Sequence, residues 1–119
     1  MKIIIVDDNR GFRDIVYTIV HDIHGNPLEI MRFENAIQAW DDFLEDPADI
    51  VITDVSMPKM SGLELLEKIK DMSPDTHVIV MSFQPHNKKE ALRLGAYAFF
   101  EKPFDTSEFT QTIHSLINR

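Results

Sequence analysis

The chain has 119 residues, enough for one domain with a real hydrophobic core and too few for two ordinary ones. A net charge of −8, with acidic and basic residues interspersed, argues against bulk electrostatic binding to nucleic acid or an anionic membrane. Cysteine is absent, which excludes disulfides and thiolate metal sites, and no apolar stretch has the length of a signal peptide or a membrane span. We therefore expect a cytoplasmic protein with neither nucleic acid nor membrane as a direct partner.

The first apolar run, Ile3-Ile4-Ile5-Val6, reads as a buried strand ended by Asp7 and Asp8. Phe12, Ile15, Val16, Ile19, Val20 and Ile23 then recur at helical spacing until Gly25-Asn26-Pro27 stops the helix. Leu28 to Phe33 alternates as a second strand. Asn35 and Gln38 form the capped start of a helix that carries Ile37, Trp40, Phe43 and Leu44 and closes at Asp46-Pro47. Ile50-Val51-Ile52-Thr53 is a third strand, ended by Asp54. Ser61 with Glu64 opens the next helix, which turns Leu65, Leu66 and Ile69 inward and ends at Ser73-Pro74.

Val78-Ile79-Val80-Met81 forms a fourth strand that delivers Ser82 to its carboxyl end. Asn87 with Glu90 predicts the cap of a short helix, and Gly95 its end. Tyr97 to Phe100 is the fifth strand, followed by Lys102-Pro103, where a turn-restricting proline suits a cis bond. Asp105 with Glu108 starts a last helix burying Phe109, Ile113, Leu116 and Ile117. Strict alternation with short loops implies an α/β domain: a doubly wound, five-stranded parallel sheet with five helices on its two faces.

Residues after strand ends sit where open α/β sheets build their sites, and here they are Asp7, Asp8, Asp54, Ser82 and Lys102. Three carboxylates held together repel one another unless a cation shares the site, and an all-oxygen set suits Mg2+ or Mn2+. Lys102 adds a fixed positive charge and Ser82 a hydroxyl donor for an oxyanion. Such a set suits phosphoryl transfer to a carboxylate, with Asp54 as the nucleophile by position. Alone, each feature has a plainer reading. Adjacent aspartates can be a turn with a helix cap, and Lys-Pro an exposed loop. His21 and His24 are expected to be solvent-exposed imidazoles at a helix end.

Taken in order, Val6-Asp7-Asp8, Asp54 through Gly62, Ser82, Gly95-Ala96 and Lys102-Pro103-Phe104 resemble the response-regulator receiver domains of two-component signalling, over essentially residues 1–119. The resemblance implies the flavodoxin-like strand order 2-1-3-4-5, of which a chemotaxis receiver is a known example. It implies Asp54 as phosphoacceptor, with Asp7, Asp8, Asp54 and the Ser56 backbone carbonyl as Mg2+ ligands. Lys102 and Ser82 would contact the phosphoryl group, and Ser82 with Phe99 would form the switch. Met57, Pro58, Gly62 and Pro103 would shape loops, Gly62 by adopting backbone angles other residues resist.

The implied partners are a histidine kinase or phosphotransfer protein, docked near Asn9, Arg10, Phe12 and Arg13, and a downstream protein on the face of the fourth helix, fifth strand and fifth helix. A phosphorylation-dependent homodimer belongs to the same expectation. Three features depart from the pattern: bulky Phe83 after Ser82, which would narrow access to Asp54; a short stretch from Ser82 to Lys102, which predicts a truncated fourth helix; and Phe99 without a hydroxyl, which predicts weaker coupling of phosphorylation to output. Two other functions compete. One is an interaction module that signals without phosphate. The other is an aspartyl-phosphate phosphohydrolase, disfavoured because position 9 is Asn and no cap domain fits.

Overall fold

The computed structural model describes residues 1–119. Strands β1 (Lys2–Val6), β2 (Glu29–Phe33), β3 (Ile50–Asp54), β4 (His77–Ser82) and β5 (Ala98–Glu101) alternate with helices α1 (Arg10–His21), α2 (Ala36–Glu45), α3 (Gly62–Met72), α4 (Asn87–Arg93) and α5 (Thr106–Ile117). All neighbouring strands are parallel, in the order β2-β1-β3-β4-β5. The expected architecture and strand order are both present.

Side-chain alternation divides the core in two. Ile3, Ile5, Ile50, Ile52, Ile79 and Met81 point to the face covered by α1 and α5, where they meet Val16, Val20, Phe109 and Ile113. Ile4, Val6, Val51, Val78 and Val80 point the other way, toward α2, α3 and α4. The central strands are thus buried on both faces, which accounts for their unbroken apolar runs.

Local signals set most helix ends. Asn9, Asn35, Ser61 and Asp105 each accept a backbone N–H of the first turn they precede. At the end of α4, Gly95 takes a φ of 102°, while the Gly95 and Ala96 amides return to the Leu92 and Ala91 carbonyls in a Schellman closure. One helix face and one cap differ from what apolar spacing or sequence neighbours alone would suggest. On α2, Ala36, Ala39 and Phe43 face the core, whereas Ile37 and Leu44 are exposed. Two residues seven apart share a helix face, and small alanines let this helix lie close to the sheet. On α4, Asn87 is the first helical residue and does not cap it. His86 occupies the cap position without a side-chain bond, and the Asn87 amide is engaged elsewhere.

Candidate functional site

Four strand ends converge on one point. Asp7, directly after β1, is fully buried; Asp54 ends β3 at 6% exposure; Ser82 ends β4 at 1%; and Lys102, just after β5, is 3% exposed. Lys102 Nζ donates to Asp7 Oδ2 at 2.7 Å and lies 3.2 Å from Asp54 Oδ1. Asp7 Oδ1 accepts the Asn9 amide at 2.9 Å, while Arg13 Nη1 donates to the Asp7 carbonyl at 2.7 Å. Asp7 is therefore held on both its side chain and its backbone. Asp8 is exposed, yet ligand atoms of Asp7, Asp8 and Asp54 lie within 4.8 Å of one another. An all-carboxylate cluster of this size fits a hard divalent cation.

The electrostatics single out Asp54. Burial, and then the charge of Asp7, push its carboxyl up to about 6 against an ordinary 3.8, with Lys102 opposing. At neutral pH it is still mostly ionised, and poorly solvated. The Lys102 ammonium also meets two aromatic faces, 4.4 Å from the Phe12 ring centre and 5.3 Å from that of Phe83. Those rings pack edge to face at 5.4 Å, so the β4–α4 loop touches the first turn of α1 above the lysine. Phe83 as a residue is 57% exposed.

The loop from β3 to α3 departs from expectation. Gly62 does not have a positive φ; the residue that does is Lys59, at 71°. Met60 N–H returns to the Pro58 carbonyl at 2.8 Å, closing a γ-turn around that lysine. Gly62 is needed for closeness instead, because a Cβ there would stand 1.8 Å from the Asp54 carbonyl oxygen. Gly62→Ala should displace α3 or the Asp54 backbone. We expect a loss of at least about 1–3 kcal/mol, read by urea denaturation. A variant as stable as the parent would show that the loop yields freely.

Residues 3–114 match the family profile described as the response regulator receiver domain. The chain belongs to that family. Among curated relatives, the receiver is 32% identical over 118 residues to the DNA-binding transcriptional regulator NtrC of Azospirillum brasilense, covering 98% of this chain but 24% of that protein. It is 32% identical to sporulation initiation phosphotransferase F of Bacillus subtilis, covering 94% of this chain and 90% of that one. It is 33% identical to chemotaxis protein CheY of Listeria monocytogenes, covering 95% of each. The fold matches the response regulatory domain of Klebsiella pneumoniae mrkE with a TM-score of 0.89 at 20% identity, covering 98% and 94% of the two chains.

Other predicted positions in the receiver fall as follows. Ser56 and Pro58 are exposed in the β3–α3 loop, while Met57 is half-buried against the core. Phe99 is half-buried on the α2–α4 side of the sheet. Pro103 follows a cis peptide bond, and α4 has only seven residues, as the short Ser82 to Lys102 stretch predicts. His21 and His24 are exposed. The grip of Arg13 on the Asp7 carbonyl, the Phe12–Phe83 contact over Lys102 and the tie from Asn87 to Ser82 were not read from the sequence, since each depends on a neighbour distant along the chain or on a rotamer.

Proposed function

We propose that residues 1–119 act as a phosphoacceptor switch. The observation that carries this reading is the convergence of Asp7, Asp8 and Asp54 within 4.8 Å, with the buried Lys102 ammonium 3.2 Å from Asp54. An Asp54 oxygen attacks the phosphorus of a phosphohistidine on a histidine kinase or phosphotransfer protein. The P–N bond breaks, the imidazole leaves, and an acyl phosphate forms. Water later cleaves it. The protein thus acts on itself and turns over no external substrate. Lys102 balances charge on the arriving oxygens, and Ser82 turns its hydroxyl toward them.

Asp7, Asp8, Asp54 and the Ser56 carbonyl would hold Mg2+, or Mn2+ in its place. Bound there, the cation supplies charge neutralisation to an otherwise repulsive cluster. Phosphorylation adds roughly two negative charges beside Ser82, enough to bias a two-state element. Phe99 then repacks, and the face formed by α4, β5 and α5 presents itself to a downstream protein or a second copy of the chain.

Beryllofluoride, a stable mimic of an acyl phosphate, tests this without a cognate kinase. With Mg2+ present, amide resonances of Asp54, Ser82, Phe99 and Lys102 should shift. An unchanged spectrum would favour the phosphate-independent interaction module, to which the Phe83 ring beside Lys102 lends weight.

A further inference from the structure

We propose that Asn87 is a latch on the switch hydroxyl, holding Ser82 away from Asp54 until phosphorylation. This rests on the phosphoacceptor reading above. Ser82 Oγ accepts two hydrogen bonds, from the Gln84 amide at 3.0 Å and from the Asn87 side-chain amide at 2.9 Å. Both acceptor positions of the hydroxyl are thereby filled from the β4–α4 side. Neither donor comes from the acidic cluster. The oxygen is thus held by the loop with only its own proton left to donate, and in this proposal swinging it toward a phosphoryl group on Asp54 gives up the bond to Asn87.

The same bond anchors α4. That helix has seven residues and no side-chain cap, so its first residue is tied to the sheet through Ser82. Releasing Ser82 frees the first turn of α4 in the same step, and the signal passes from the hydroxyl to the helix without an intermediary. Asn87 is a positioning residue in this scheme. It touches neither Asp54 nor the phosphoryl group, and it sets how far the unphosphorylated protein leans toward its inactive arrangement.

Asn87→Leu removes the donor, keeps the branched shape and raises intrinsic helix propensity, so any loosening of α4 reflects the lost tie to Ser82 and not a poorer helix former. In a titration with beryllofluoride and Mg2+ followed by amide resonances, N87L should bind roughly three- to tenfold more tightly than the parent, as expected for one lost restraining hydrogen bond. Without ligand, its Ser82 and Phe99 resonances should already lie part-way to the bound positions, and the α4 amides should exchange faster. In a Ser82→Ala background the leucine should change nothing further. Equal affinities of N87L and parent, or the same tightening in S82A, would overturn the latch while leaving phosphoacceptor function intact. Failure of the parent itself to bind beryllofluoride would overturn both.

Discussion

Asp54→Asn is expected to abolish phosphoryl incorporation altogether and, in metal-free protein, to raise stability at neutral pH. The loss follows because the amide oxygen is a poor nucleophile and Asp54 is the proposed acceptor. The gain follows from the cost of an ionised carboxylate in that position. Its folded value is raised to about 6, first by burial and then by Asp7, whereas the unfolded chain titrates near 3.8. Between those values the folded state binds more protons than the unfolded one, so this contribution to stability is complete below the lower value and lost as pH rises through the upper. After allowance for solvent screening, the effect is about 1–2 kcal/mol. The urea midpoint of D54N, relative to the parent in chelator, should therefore climb from about pH 4 to a plateau above about pH 6. A difference flat across that range would mean that Asp54 titrates normally. Radiolabel retained by D54N would place the acceptor elsewhere.

Much of the architecture was legible because the governing signals are local. Apolar runs of β1, β3 and β4 are unbroken since both faces are covered, and four of the five helices begin at a capping residue acting over three positions. The site was legible for a related reason. In a parallel sheet every strand delivers its last residue to the same edge, so Asp54, Ser82 and the residues that follow β1 and β5 meet there by topology alone. What escaped was decided by three-dimensional competition. Asn87 has the sequence neighbours of a cap, but Ser82 offers its amide an oxygen. Ile37 and Leu44 have the hydrophobicity of a core, but the helix settles on its alanines. Gly62 was assigned a conformational reason when the true one is a carbonyl against its Cα, and the strain in that loop falls on Lys59, which no composition rule marks.

Lys102→Met should be the most destabilising single change at the site. The side chain of Lys102 is 1% exposed, that of Asp7 0% and that of Asp54 9%, so removing the ammonium leaves two buried carboxylates facing each other without a counter-charge. Breaking a buried pair in this way costs about 3–5 kcal/mol. Methionine fills similar space and keeps favourable contact with the rings of Phe12 and Phe83, so the loss reports charge more than packing. Added Mg2+ should then recover much of the stability, because a cation bound only by the folded state stabilises it by mass action and Asp7, Asp8 and Asp54 remain in place. The two variants should thus separate: K102M is expected to take up the cation but transfer phosphate poorly, whereas D54N is expected to lose a proposed ligand and the proposed acceptor together. Paired calorimetric and denaturation titrations with Mg2+ read the difference. A K102M protein as stable as its parent in chelator would mean that the carboxylates are relieved by protonation or water, and that Lys102 is not what holds the acidic edge together.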